Sequence, residues 1–180
     1  IESKGSLKGI RFAYVGDGRS NVANSLLVIS SKMGLDFRIV SAETLFPEKD
    51  LVEQAKAFAA ESKAEITLTA DVDKGVKGAD VIYTDVWASM GEESKISERI
   101  RLLKPYQVNK TMIEKTGNPD VLFLHCLPSF HNTDTEMSKK IPDICEVTEE
   151  VFESKHSRVF DQAENRVHTI KAIMVATLGK

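Results

Sequence analysis

Long apolar runs are missing from this sequence. No stretch approaches the roughly 18 to 20 apolar residues that cross a bilayer, and Ile1-Glu2-Ser3-Lys4 has no apolar signal core behind it. The expectation is a cytoplasmic protein with no membrane partner. Cysteine is scarce: Cys126 and Cys145 are the only two, too few for a disulfide framework and without the paired spacing of a structural zinc site. Clusters of positive charge are also lacking. With 24 Lys+Arg against 27 Asp+Glu the net charge is −3, and no basic stripe could neutralise a row of phosphates, so nucleic acid is not an expected partner. No internal repeat, low-complexity tract or long Pro/Gly linker divides the 180 residues, which read as one domain, 1–180.

What is present is the composition of a soluble globular chain, 42% apolar and 28% charged. Short apolar runs recur at Ile10 to Val15, Phe37 to Ser41, Glu65 to Thr69, Val81 to Thr84 and Val121 to Leu124, in the manner of buried parallel strands. Helical patterns fill the gaps. The first starts near Ser20 or Asn21, puts Val22, Leu26, Ile29 and Met33 on one face, and stops at Gly34. A second covers Pro47 to Lys63 with proline in its first turn; Asp71 to Lys77 and Ser94 to Lys104 give two more. In the last, Asp161 and Glu164 form a capping box ahead of a Val167, Ile170, Met174, Leu178 face, and Gly179 ends it. Only Asn132 to Glu149 is polar and irregular. Alternating strands and helices with right-handed crossovers predict an α/β fold: a Rossmann-like, doubly wound parallel sheet of about five strands in three layers.

Ligands in such a sheet bind beyond the carboxyl ends of the strands. After the first strand, Gly16-Asp17-Gly18-Arg19-Ser20-Asn21 feeds a helix N-terminus suited to a carboxylate or phosphate. Asn21 stands where a dinucleotide fingerprint needs its third glycine, which disfavours a nicotinamide cofactor; the plainer reading is a tight turn with Asn21 as helix cap. After the fourth, Thr84-Asp85-Val86-Trp87-Ala88-Ser89-Met90-Gly91 offers a carboxylate for an amine and a glycine-hinged turn, against the plainer alternative of an Asp85 N-cap with Trp87 packed on the core. After the fifth, His125-Cys126-Leu127-Pro128 brings an imidazole and a thiol to the crevice. That thiol is either drawn toward thiolate by neighbouring positive charge or is a buried structural cysteine. His125, Cys126 and His131 approximate three metal ligands, but no fourth is evident and no metal is expected. Arg166 falls in the first turn of the last helix, where a cation opposes the dipole, so an anionic ligand is its alternative to a solvated surface position.

Taken in order, Lys8-Gly9-Ile10 into Gly16-Asp17-Gly18 with Asn21, Asp85-Val86-Trp87 with Ser89-Met90-Gly91, His125-Cys126-Leu127-Pro128, and Phe160 through Lys171 resemble the transcarbamoylase family, and within it the ornithine carbamoyltransferases. The Ser-Met-Gly loop is what separates these from aspartate and putrescine relatives. The resemblance implies carbamoyl transfer from carbamoyl phosphate to the δ-amine of L-ornithine, within arginine metabolism. It implies that Asn21 holds the amino-acid end of ornithine, Asp85 and Ser89 bind its α-ammonium, and Met90 adds a backbone contact. Cys126, with Asp85, would keep the δ-amine deprotonated. Leu127 would accept from the carbamoyl NH₂, and Arg166 would stabilise the charge developing on the carbonyl oxygen. No metal or organic cofactor is implied, and the full enzyme would be a homotrimer or a multiple of trimers.

Two departures from the family stand out. The first domain, with its Ser-Thr-Arg-Thr-Arg phosphate loop, is absent from these residues, so this chain is not expected to turn over alone, and the final helix is expected to expose part of its apolar face. The segment after His131 is short and implies a missing surface helix. A different class of function is a free-standing amino-acid-binding or regulatory module, which a natural start codon near Ile1 would favour; isoleucine there points instead to a cut piece. A dehydrogenase-like nucleotide binder is third, disfavoured by the missing glycine.

Overall fold

The computed structural model describes residues 2–88 and 93–179. Among the described residues, five strands and eight α-helices follow in the order β1 (Arg11–Val15), α1 (Asn21–Met33), β2 (Asp36–Val40), α2 (Lys49–Ser62), β3 (Glu65–Thr69), α3 (Val72–Val76), β4 (Val81–Thr84), α4 (Ile96–Leu103), α5 (Lys110–Lys115), β5 (Leu122–His125), α6 (Glu136–Lys140), α7 (Glu149–Phe152) and α8 (Val159–Leu178). Every pairing is parallel, and the sheet order is β3-β2-β1-β4-β5. The chain reverses its direction of travel at β1, so the crevice between the carboxyl ends of β1 and β4 is the topological switch point.

Alternation along the strands builds two cores. Tyr14, Phe37, Ile39 and Tyr83 face α1 and α2 and pack on Ala23, Leu27, Val52 and Ala55. Ala13, Val15, Val40, Ile82 and Phe123 face the other way and pack on Val76, Leu103, Met112, Val151 and Phe152 from α3, α4, α5 and α7. Both faces of the sheet are covered, which is why its strands read as nearly continuous apolar runs. The three-layer expectation holds, and each predicted strand lies within a residue or so of its observed limits.

The helix ends depart from expectation in places. Ser20, not Asn21, caps α1: its hydroxyl accepts from the Ala23 N–H at 3.0 Å, while Gly34 closes the helix in a left-handed conformation. Pro47 precedes α2 rather than starting it. The capping box of α8 does not form, because the helix begins earlier, with Arg158 rather than Asp161 at its N-cap. The segment read as irregular holds the short α6 and a 3-10 turn at Pro142–Ile144, and α5 was not foreseen. In these short helices too few residues repeat for a 3.6 period to stand out.

On α8 the face expected to be exposed is exposed: Val167 is 66%, Met174 55% and Leu178 75% accessible. Among the described residues no helix is long and apolar enough to cross a membrane.

Candidate functional site

Three loops converge at the switch point. The first is the β1–α1 turn, which needs glycine at position 18 because a Cβ there would lie 2.6 Å from the Leu45 carbonyl oxygen and 2.9 Å from Ile39. The Asp17 carboxylate accepts from the Arg19 N–H at 2.9 Å and pairs with Arg99 of α4 at 2.9 Å, both side chains largely buried. Ser20 takes the cap role expected of Asn21, and Asn21 opens the helix and is exposed.

The second is the end of β4. Asp85 is only 8% accessible, and its Oδ1 accepts from the Val86 N–H at 2.8 Å. Burial pushes its carboxyl above the usual carboxylate range; that bond and nearby His125 oppose the shift, and Glu146 and Asp17 add to it. No helix starts at Asp85, so the N-cap alternative fails. Trp87 is nonetheless buried in the core as its plainer reading required. Ser89 and Met90 lie outside the described residues.

The third is the end of β5. The Cys126 N–H reaches the Thr84 carbonyl at 3.4 Å, which ties the β5 exit to β4. Cys126 is half-buried, and Leu127 precedes a cis proline, Pro128. Burial raises the thiol above its ordinary range and Asp85 raises it further, while the Tyr83 hydroxyl and the positive charge of Arg166 pull it back. The net shift is upward, away from the thiolate, and the residue is only partly buried. Arg166 is exposed on α8, close enough for its charge to reach Cys126.

His125 turns away from any metal role. Its Nε2 meets Glu146 Oε1 at 2.9 Å with both side chains fully buried. The same oxygen accepts from Ser129 Oγ at 2.9 Å and the Phe130 N–H at 2.7 Å. His131 stacks flat on Phe152, ring centroids 3.8 Å apart, so the two histidines and Cys126 do not form a ligand set. Sequence reasoning missed Glu146 and its brace on the Pro128 turn. The available signal was a carboxylate between apolar Cys145 and Val147 in a segment dismissed as polar.

A doubly wound α/β domain with carboxylate, thiol and guanidinium gathered at its switch point belongs to the class that binds a small polar ligand between loops. Over residues 8–177 the chain matches the family described as Aspartate/ornithine carbamoyltransferase, Asp/Orn binding domain, and it belongs to that family. It is 58% identical to the catabolic ornithine carbamoyltransferase of Bacillus licheniformis, over 99% of this chain and 55% of that protein. It is 56% identical to the catabolic enzyme of Streptococcus gordonii, over 99% and 54%. The ornithine carbamoyltransferase structure from Pyrococcus furiosus superposes with a TM-score of 0.84 at 42% identity, covering 97% of this chain and 51% of that one. The Gloeobacter violaceus structure gives 0.83 at 33%, covering 99% and 54%. The chain thus spans about half the length of the curated relatives it matches.

Proposed function

We propose that this chain supplies the ornithine half of a carbamoyltransferase site, for transfer of the carbamoyl group from carbamoyl phosphate to the δ-amine of L-ornithine, giving L-citrulline and phosphate. The observation that carries the reading is the meeting of buried Asp85 and half-buried Cys126 at the β4 and β5 ends, with Asn21 across the crevice. The names of the relatives, matched over 99% of this chain and about half of their own length, support the substrate assignment.

Ornithine carries two cationic groups and one carboxylate. Asp85 is a shielded anion for its amines, where a charge-assisted hydrogen bond is stronger than at an exposed site. Ser89 joins it at the α-ammonium, with Asn21 and the backbone of Met90 beside the amino-acid end. Cys126 flanks the δ-nitrogen as a neutral thiol, a partner for the free amine rather than a second negative charge that would hold a proton on it. The δ-nitrogen, as the free amine, forms a bond to the carbonyl carbon; the bond from that carbon to the phosphate oxygen breaks, and the proton lost from the nitrogen leaves with the phosphate. Arg166 steadies the oxygen that gains charge, and the Leu127 carbonyl accepts from the carbamoyl NH₂. The reading calls for no metal or organic cofactor.

Residues 1–180 act in this reading as one ornithine-binding domain, with the phosphate-binding loop supplied by a second domain. The exposed apolar face of α8 is the surface that domain covers. The working enzyme is a cytoplasmic trimer or multiple of trimers in arginine metabolism.

The test is a fusion of this chain behind the amino-terminal half of the Bacillus licheniformis enzyme. It is expected to form citrulline from ornithine and carbamoyl phosphate, and the unfused chain is not. A folded fusion that forms none, while the parent enzyme does under the same conditions, would refute the reading. A free-standing binding module, by contrast, would bind an amino acid with no catalytic gain on fusion.

A further inference from the structure

The chain leaves β5 through Cys126, Leu127 and Pro128, and the two site candidates in that span face different ways. Cys126 packs with the core under α1 and α2, Leu127 with the core on the other side of the sheet. Within the span the Cys126 N–H reaches the Thr84 carbonyl at 3.4 Å, a long bond for an amide donor. Its flanks are held more firmly, and by a single atom. Glu146 Oε1 meets His125 Nε2 at 2.9 Å before the span, and accepts from Ser129 Oγ at 2.9 Å and the Phe130 N–H at 2.7 Å after it. Donors that share one acceptor lie within about 6 Å of one another, so the oxygen draws the span into a closed loop.

That oxygen is a firm anchor. The His125 and Glu146 side chains are both fully buried. The Glu146 carbonyl accepts from the Val108 N–H at 2.9 Å, and the Thr148 N–H donates to the Val108 carbonyl at 3.0 Å, which pins the backbone on either side. His125 is tied from the opposite direction: its N–H donates to Gln162 Oε1 at 3.2 Å, and Gln162 Nε2 donates to the Tyr83 hydroxyl at 3.0 Å. An apolar residue of similar size between Cys145 and Val147 would fill the same space without the cost of burying a carboxyl group. Packing alone therefore does not explain an acceptor at this position.

We propose that Glu146 is a positioning residue for Cys126 and Leu127: by gathering His125, Ser129 and Phe130 on one oxygen it fixes the loop that presents the thiol and the Leu127 carbonyl. The substrate roles of those two residues rest on the function proposed above, whereas the hold on the loop can be measured without substrate. A shift of the loop by about 1 Å would move both groups off the carbamoyl group and the δ-nitrogen. The amino-acid end of ornithine, held at Asn21 and Asp85, would bind much as before.

The experiment has two arms. In the first, amide hydrogen exchange of this chain is read residue by residue, and Glu146→Ala is expected to speed exchange at Cys126 and Phe130 by about 10-fold more than in β2. In the second, at equal amounts of folded fusion, Glu146→Ala is expected to lower kcat by about 10- to 100-fold and leave the ornithine KM within about 2-fold of wild type. Glu146→Gln, which keeps an acceptor, is expected to recover part of both losses. A role in packing alone would lower the melting temperature, speed exchange alike across the sheet and leave kcat per folded molecule in place; that result overturns the proposal. If Glu146→Ala does not fold, Ser129→Ala, which removes a single oxygen from a half-buried residue, decides, with the same signs at smaller size. A wild-type fusion that makes no citrulline would sink the functional reading alone, and the exchange arm then decides this inference. An active fusion whose kcat is untouched by the substitutions would sink this inference alone.

Discussion

In the fused enzyme, Asp85→Asn is expected to lower kcat/KM for ornithine by about 10- to 150-fold, the equivalent of one hydrogen bond to a charged group at roughly 1.5–3 kcal/mol. Asparagine keeps the shape and one acceptor, and can still receive the Val86 N–H that Oδ1 now accepts. What it loses is the negative charge opposite a cationic substrate. Stability should move the other way. Because the folded state raises this carboxyl above its unfolded value, it binds the proton more tightly than the unfolded chain does. Ionised Asp85 therefore costs stability at neutral pH, and that cost is relieved as pH falls through the raised folded value. Asp85→Asn removes it, so the variant should melt no lower than wild type at pH 7 while binding ornithine far less well. A variant that binds ornithine normally would remove Asp85 from the site.

The second large effect is expected at Glu146, which no part of the proposed chemistry touches. One buried oxygen takes bonds from His125, Ser129 and the Phe130 N–H. Glu146→Ala would leave the fully buried His125 ring nitrogen with nothing to bond, and would take the acceptor from the half-buried Ser129 hydroxyl and Phe130 N–H. Breaking a buried polar pair costs about 3–5 kcal/mol, a large share of a total that is about 5–15 kcal/mol for most domains. For a chain of this length that is a fall of roughly 6–20 °C in melting temperature. Glu146→Gln keeps one acceptor and should lose less. Thermal unfolding followed by circular dichroism checks both. An alanine variant that melts with wild type would mean water replaces the carboxylate and the brace is dispensable.

The sheet was legible in the sequence because burial on both faces leaves strands as apolar blocks, and because glycine and proline mark the breaks between them. Gly34 ends α1 as its position foretold. Ligand-facing candidates were legible for a related reason: polar residues directly after an apolar strand have few structural uses, and Asp85 and Cys126 stood out on that ground. Capping was harder to read. Ser20 and Asn21 are both good caps, and the choice turned on the Tyr14 hydroxyl, which lies 2.9 Å from Ser20 Oγ and helps to fix it. The partners of the site were not legible at all. Glu146 comes to His125 from 21 positions away, and Gln162 to Tyr83 from 79, pairings that only the tertiary fold creates. The same holds for the Cys126 thiol, whose charge balance depends on burial and on Asp85, neither of which follows from its neighbours in sequence.

The most direct measurement of the central claim is calorimetric titration of this chain with L-ornithine, with putrescine and NAD as controls, in the presence and absence of carbamoyl phosphate. Weak, saturable binding selective for ornithine and lost in Asp85→Asn is the predicted result. Tight binding of NAD, or putrescine bound as well as ornithine, would contradict it.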